Sequence, residues 1–182
     1  MDDAGGSNLR AGRSRGALLE AFRELVLKNR YDDLKISQIV AKAQVARSTF
    51  YVHYESKDQL LLEGLAGPFS ALADAIVLES STEALISSLE HFWEHRQVTK
   101  ALLTGPMRGP VHRLLVSLLQ IRLERLEARA TDIPLRLLAN QIAGGQIALV
   151  LAWISGEAPC KPVLLAESVK LQTLRFVEPS RT

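Results

Sequence analysis

The sequence is poor in cysteine, in aromatic residues and in long apolar runs. A lone cysteine, Cys160, excludes an internal disulfide and is typical of a reducing cytoplasm. Aromatic residues make up 5% of the chain, and the apolar 47% is mostly leucine and alanine, which favours helices over strands. We find no uninterrupted apolar run of the ~18 residues that a membrane span needs, and no apolar secretion signal near Met1. The sequence therefore predicts a soluble, cytoplasmic, all-α protein without a membrane partner.

Charge is small in total and uneven along the chain. The formal net charge is +2, yet the segment from Leu9 to Lys57 holds ten basic residues against five acidic ones. A basic segment on a slightly acidic body is typical of a protein that meets a polyanion. An ordinary solvated surface would have the same composition, so this observation alone leaves both interpretations open.

Apolar spacing in the N-terminal third predicts a helix-turn-helix unit. Apolar residues recur at helical spacing from Ser14 to Asn29. A short helix with Ser37 as its N-cap is predicted to end near Ala43, and another is predicted from Arg47 to His53. Only a tight turn fits between these two helices. The following "SKDQ" is a capping-box pattern, which indicates that a longer helix begins after Ser56.

In such a unit the second short helix enters the DNA major groove. Arg47 is suited to guanine, Ser48 and Thr49 to base edges or phosphates, and other polar side chains to phosphates alone. Phe50 and Tyr54 have the spacing of core residues. The predicted DNA-contacting set comprises Ser37, Arg47, Ser48, Thr49, Tyr51, His53 and Lys57.

The stretch "ISQIVAKAQVARSTFYVHYESKDQLL" resembles the DNA-binding segment of the TetR family of transcriptional regulators. Matching positions are Ala43, Val45, Thr49, Phe50, Tyr51, His53, Ser56, Lys57, Asp58 and Leu60. The turn departs from the family pattern twice, with Gln44 in place of glycine and Ala46 in place of serine. A non-glycine residue in a left-handed turn costs roughly 1–2 kcal/mol, and a missing N-cap costs ~0.5–2 kcal/mol.

The resemblance implies an all-α homodimer with a three-helix DNA-binding domain and a C-terminal ligand-binding and dimerisation domain. We accordingly divide the chain into a disordered arm (residues 1–13), a helix-turn-helix domain (14–60) and a helical ligand-binding domain (61–182). The predicted function is a repressor that a small apolar ligand releases from a palindromic operator in double-stranded DNA. We expect neither enzymatic activity nor a cofactor.

The C-terminal body is helical throughout, with breaks at "GPMRGP", "TDIP" and "GEAPCKP". In the family resembled, the ligand pocket lies among these helices. Apolar walls with a few polar groups suit a hydrophobic or amphiphilic ligand, although every one of these residues is equally well explained as core. The predicted pocket residues are Phe92, Trp93, Met107, Leu115, Leu119, Arg122 and Gln141.

The stretch from Leu138 to Ser155 is apolar on nearly every side, so a helix here must be covered all round. Gly144 and Gly145 cost about 1 kcal/mol each in a helix, which favours a close approach by another backbone. A place at the centre of its own domain remains the alternative. Together with the last helix, this segment predicts a four-helix dimer interface with Ile142, Gly145, Leu149, Trp153, Val169 and Leu174.

A metal site is the rival interpretation. His91, Glu94 and His95 have the H-x-x-E-H spacing of a class of zinc peptidases, and histidines four residues apart share a helix face. This pattern would make the chain a zinc-binding metal sensor or hydrolase. A helical interaction module whose basic end is incidental is the third possibility.

Overall fold

The computed structural model describes residues 4–77, 80–126 and 133–177, which form nine α-helices and a short 3₁₀ turn, with no strand among them. The predicted all-α class is confirmed. The helices are α1 (Ala4–Lys28), α2 (Ile36–Lys42), α3 (Arg47–His53), α4 (Lys57–Asp74), α5 (Thr82–Glu94), α6 (Arg96–Thr104), α7 (Arg108–Arg125), α8 (Leu135–Ile154) and α9 (Pro162–Val177), and the 3₁₀ turn is Tyr31–Asp33.

The chain divides into two compact units between Gly64 and Leu65, inside α4. This boundary lies four residues beyond the predicted one. Helix α1 begins at Ala4, inside the arm of residues 1–13 that the sequence predicts to be disordered. The long α1 is thus the first element of the N-terminal unit.

The N-terminal unit is built around one apolar core. Helix α1 packs against α2 and α3, and these two helices also pack against each other. The core is made of buried side chains from α1 to α4 and from the segments that join them: Leu18, Phe22, Leu34, Ile39, Phe50, Tyr54, Leu60 and Leu61. Burial of this set holds the two short helices, which would not be stable alone.

The start of α4 follows the predicted capping pattern. The backbone N–H of Gln59 donates to Ser56 Oγ at 3.3 Å, and the Gln59 side chain accepts from the Glu55 N–H at 2.8 Å. The start of α2 does not follow its prediction, because Lys35 occupies the N-cap position. Ser37 lies inside the first turn and is exposed, so its assignment as a cap is wrong.

In the C-terminal unit, α8 packs against α6, α7 and α9. Gln146, fully buried on α8, is held by hydrogen bonds on two sides. Its Nε2 donates to the Leu72 carbonyl at 3.0 Å and to Thr173 Oγ1 at 2.9 Å. Since an unpaired buried amide N–H is costly, these bonds fix α8 against the end of α4 and against α9.

Helix α8 corrects one expectation from the sequence. Its 20 residues are long and apolar enough to cross a membrane by length and composition alone, which the search for uninterrupted apolar runs missed. Half of that window is buried inside the protomer, and the core helix of a soluble protein passes the same test.

Candidate nucleic-acid interface and effector cavity

The turn between α2 and α3 is a Schellman motif. The Val45 N–H donates to the Val40 carbonyl at 3.1 Å, and the Gln44 N–H donates to the Ala41 carbonyl at 3.2 Å. This geometry needs a left-handed residue, and Gln44 adopts it with φ of 54°. Ala46 precedes α3 with no side-chain cap. Both sequence departures therefore fall where the backbone would favour glycine and serine.

Helix α3 has one face inside the core and one face outside it. Phe50 and Tyr54 are buried, with ring centres 5.7 Å apart, as the sequence predicts. Arg47, Ser48, Tyr51 and Val52 are exposed together, and their spacing puts them on one side of the helix. We call these four residues the α3 outward face. Val52 is apolar, and it belongs to this face but not to the DNA-contacting set that the sequence predicts.

Arg47 and Tyr51 lie against each other on this face. Arg47 Nη2 is 3.4 Å from the Tyr51 hydroxyl, and its guanidinium carbon is 5.8 Å from the centre of the ring. A contact this long between exposed groups contributes little stability. The guanidinium therefore remains available to an external acceptor, which is what base reading requires.

His53 is tied to the fold more firmly than the sequence indicates. Ser14 Oγ donates to the Ala11 carbonyl at 3.0 Å and lies 2.7 Å from His53 Nε2. The contact between Ser14 Oγ and His53 Nε2 therefore uses one of the two imidazole nitrogens within the fold. The other nitrogen, Nδ1, is the one left for the predicted phosphate contact of His53.

Lys57 is placed differently from the prediction. Its Nζ donates to the carbonyls of Tyr31 at 2.8 Å, Asp32 at 3.2 Å and Leu34 at 2.9 Å. It also lies 4.5 Å from the centre of the Tyr31 ring. An ammonium group has three hydrogens, and all three are committed to the 3₁₀ turn. These donors serve the fold, whereas the sequence predicts a phosphate contact for Lys57.

The neighbouring residues complete this arrangement. The Tyr31 hydroxyl donates to the carboxylate of Asp58. Burial first, and then this hydrogen bond, raise the pKa of Tyr31 well above its usual value. We call Tyr31, Lys57 and Asp58 the α4 joint, since they tie the 3₁₀ turn to the first turn of α4.

The two remaining predicted DNA contacts differ in access. Ser37 is exposed near the start of α2, whereas Thr49 is half-buried.

Elsewhere in the unit, exposed ion pairs join Lys42 to Glu24 and Arg15 to Glu63, both at 2.9 Å. The hydrogen bond from Lys42 lowers the pKa of Glu24. These cations are partly neutralised within the protein, whereas Arg47 has no carboxylate among the partners described.

A cavity of about 470 Å³ lies between α4 and α5 in the C-terminal unit. Its walls are small and rich in hydroxyl groups: Gly67, Ser70, Ala71, Asp74, Val77, Ser80, Ser81, Ala84 and Ser88. Asp74 Oδ1 accepts from Arg122 Nε at 2.9 Å. The cavity thus presents one carboxylate, already paired on one side, among several hydroxyls.

None of the seven predicted pocket residues lines this cavity. Phe92, Met107, Leu115 and Leu119 are buried core residues. Trp93 is partly exposed and stacks against Trp153 with ring centres 4.9 Å apart, and Gln141 is exposed. Arg122 reaches the cavity through its ion pair with Asp74. Most of the seven predicted residues are therefore core residues, and together they do not form one site.

The outer sides of α8 and α9 correct the predicted dimer contacts. Ile142, Trp153 and Val169 are buried inside the protomer, so a second copy cannot contact them directly. Gly145, Leu149 and Leu174 are half-buried. The exposed apolar and small residues are instead Leu137, Gly144 and Ala148 on α8 and Val163, Leu164 and Leu171 on α9.

His91, Glu94 and His95 lie together at the end of α5. One possible ligand atom from each falls within 4.8 Å of the others, and the histidine ring centres are 4.7 Å apart. Such spacing follows from positions on one helical turn. The spacing is compatible with a metal ion, but compatibility alone does not identify a zinc protein.

Comparison with known proteins gives the same answer as the geometry. The arrangement of α1 to α3 defines a helix-turn-helix protein, and residues 18–63 match the family described as bacterial regulatory proteins, tetR family. The N-terminal unit therefore contains a DNA-binding segment of the tetR type, and the chain as a whole is similar in fold to TetR regulators. These matches give the zinc-dependent alternative no support.

Individual relatives cover the chain to different extents. An uncharacterised HTH-type transcriptional regulator, YxbF of Bacillus subtilis (strain 168), is 34% identical over 73 residues, which is 40% of this chain but 19% of that protein. The chain thus spans about a fifth of that curated relative. A TetR transcriptional regulator from Streptococcus agalactiae 2603V is 25% identical, with a TM-score of 0.59 over 94% of this chain and 99% of that one.

A third relative supports the fold alone. The TetR-family repressor FadR of Thermus thermophilus, in complex with lauroyl-CoA, is 19% identical, with a TM-score of 0.54 over 92% of this chain and 97% of that one. The similarity extends across both units, so this chain shares the helical fold of that structure over nearly its whole length.

Proposed function

We propose that the chain is a cytoplasmic transcriptional repressor that binds a near-palindromic operator and is released from it by a small molecule. The α3 outward face is the observation that carries this proposal. It presents a guanidinium, two hydroxyls and an apolar side chain on a helix whose opposite face is locked into the core. The role is binding and needs no catalytic residue.

Each group on the face has a distinct part in this proposal. Arg47 bonds guanine O6 and N7, the commonest specific contact in the major groove. Ser48 reaches a base edge, while the Tyr51 hydroxyl donates to a phosphate and fixes the orientation of the helix. The exposed Ser37 on α2 contributes a further phosphate contact.

An unbiased selection from random double-stranded DNA tests the repressor proposal. The expected product is a single motif with two inverted half-sites, since a two-fold dimer places two α3 helices on one DNA face. Recovery of random sequences, with no motif enriched at physiological salt, would reject it. When the selected site is placed upstream of a reporter gene, binding of the protein to that site should lower expression of the gene. Raised expression would identify an activator.

The outer sides of α8 and α9 are proposed as the homodimer interface. Leu137, Leu164 and Leu171 are each more than half exposed, and Gly144 has open space where a side chain would be. Apolar area of this extent on two adjacent helices is typical of an interface. Small residues on α8 allow a second copy of the helix to approach closely.

The α4–α5 cavity is proposed as the effector site. The sequence favours an apolar ligand, and the lining adds four serine hydroxyls and one carboxylate to glycine, alanine and valine. A small molecule with an apolar body and hydroxyl or amino groups fits this lining, because its polar groups can bond to the serines and to Asp74. Because effector and operator binding are linked reciprocally, such a molecule lowers operator affinity.

A thermal-shift screen tests this effector assignment. Hydroxylated and amino compounds are compared with apolar compounds of the same size, and each stabilising compound is then added to the protein–operator complex. We expect polar compounds to stabilise the protein and release DNA, and Ala71→Phe, which fills the cavity, to abolish both effects while operator binding persists. Release by apolar compounds alone, or an unaltered response in Ala71→Phe, would place the effector elsewhere.

A further inference from the structure

Val52 is the most exposed large hydrophobic side chain that the structure describes, at 78%. Exposed apolar residues scattered over a surface are normal, so exposure alone decides nothing. The place of Val52 is what matters, because it lies on the α3 outward face beside Tyr51. Its methyl groups contribute little to the core, and valine is a poorer helix former than alanine. Folding therefore offers no evident reason for a valine at this position.

The DNA major groove offers one apolar feature. Each base pair presents donors and acceptors there, and thymine adds its C5 methyl group. An apolar side chain on a groove-facing helix can bury this methyl, while it leaves the donors and acceptors of other bases without a partner. A branched apolar residue on this face is thus complementary to thymine.

The position of Val52 relative to Arg47 limits where that thymine can be. The two residues are five positions apart, which is ~7.5 Å along a helix axis. This distance corresponds to about two base-pair steps of DNA. A guanine read by Arg47 and a thymine under Val52 would then lie about two base pairs apart in each half-site.

We infer that Val52 is a specificity-determining residue that contacts the C5 methyl group of one thymine in each operator half-site. This role rests on the proposed DNA-binding function and extends it to a base that the polar residues do not read. It adds an apolar contact to the hydrogen bonds of Arg47 and Ser48.

Deoxyuridine tests this contact, since it differs from thymidine only by the missing C5 methyl group. The operator obtained by selection is synthesised with deoxyuridine at each thymine position in turn, at both half-sites together. Affinities of the wild-type protein and of Val52→Ala are then measured for every operator. The other thymines serve as internal controls.

At one thymine position the wild-type protein should lose about fourfold in affinity per half-site, the effect expected for one buried methyl group. Val52→Ala should bind the thymine and uracil operators equally at that position. Because residue 52 is exposed, the variant should unfold at the wild-type temperature, and Val52→Thr, which keeps one methyl group, should retain part of the discrimination.

Two results would overturn the inference while DNA binding stands. One is a wild-type protein that tolerates uracil at every position, and the other is a Val52→Ala variant that shows the same loss as the wild type. A selection that yields no specific site is a different failure, since it removes the proposed repressor function along with the inference built on it.

Discussion

The α3 outward face and the α4 joint use polar groups for opposite purposes. Apart from Tyr31, all their residues lie in the short stretch from Arg47 to Asp58. On the face, the guanidinium of Arg47 has one long contact, to Tyr51 at 3.4 Å. In the joint, the ammonium of Lys57 donates to three backbone carbonyls. A cation can bind DNA only with donors that the fold has not already used. The partners of a basic residue, more than its presence in a motif, therefore indicate its role.

Two adjacent glycines on α8, Gly144 and Gly145, also differ, in the space that surrounds them. A side-chain carbon at Gly144 would meet no atom within 4 Å, whereas one at Gly145 would lie 1.6 Å from Gln172 Nε2. Gly144 faces out of the protomer and Gly145 faces α9. Substitutions at these two positions can therefore separate effects on association from effects on folding.

The largest effect is expected for Gly144→Arg. A long charged side chain on the outer side of α8 should prevent dimerisation, and loss of the second half-site contact should weaken operator binding by about 100-fold or more. Sedimentation velocity should show monomers that unfold at the wild-type temperature. Gly145→Ala is the matched control, because the displaced Gln172 side chain is flexible and the dimer should persist. A dimeric Gly144→Arg protein would show that the interface lies on another surface.

Lys57→Met should destabilise the N-terminal unit by roughly 2 kcal/mol, since it removes the ammonium donor from the carbonyls of Tyr31, Asp32 and Leu34. The Tyr31 carbonyl keeps the Leu34 N–H as a second donor. Urea unfolding monitored by circular dichroism would measure this loss. The exposed Lys35 provides the control, and Lys35→Met should change stability by less than ~0.5 kcal/mol. Equal stabilities of the two variants would mean that the Lys57 contacts contribute nothing.

Gln44→Gly should stabilise the protein by about 1 kcal/mol, because glycine adopts a left-handed conformation without steric cost. Its neighbour Ala43 has a right-handed conformation with φ of −75°, so Ala43→Gly should instead destabilise by ~0.5–1 kcal/mol. Urea unfolding curves of the two variants should shift in opposite directions. A shift of both in the same direction would contradict the Schellman geometry.

Features with local sequence signals could be predicted, because they depend on a few neighbouring residues. The Ser56 cap, the turn at Gln44 and the burial of Phe50 and Tyr54 are of this kind. The partners of Lys57 are different, since the carbonyl groups of Tyr31, Asp32 and Leu34 are 23–26 residues away. Every residue has a carbonyl group, so the residue types in a sequence do not indicate which carbonyl will accept such a bond.

The sequence of the C-terminal unit does not reveal the exposed side of α8 or the cavity, for two physical reasons. A helix that is apolar nearly all round, such as α8, does not show which side faces its own core, so Ile142 and Trp153 could not be distinguished from Leu137 and Gly144. The cavity is lined by serine, alanine and glycine, and small residues occur on any helix surface. Space left by absent side chains can only be seen when both helices are in place.

Operator affinities of Arg47→Ala and Lys57→Met test most directly whether the α3 outward face binds DNA and the α4 joint does not. Both variants are measured over a range of salt concentrations, at a temperature at which both are folded. Arg47→Ala should lose about 1–3 kcal/mol of binding free energy and relax preference at one base pair per half-site. Lys57→Met should bind with wild-type affinity and an unchanged salt dependence, because its ammonium makes no phosphate contact. An unaffected Arg47→Ala, together with a Lys57→Met variant that binds every sequence more weakly and with a flatter salt dependence, would contradict the assignment of the two regions.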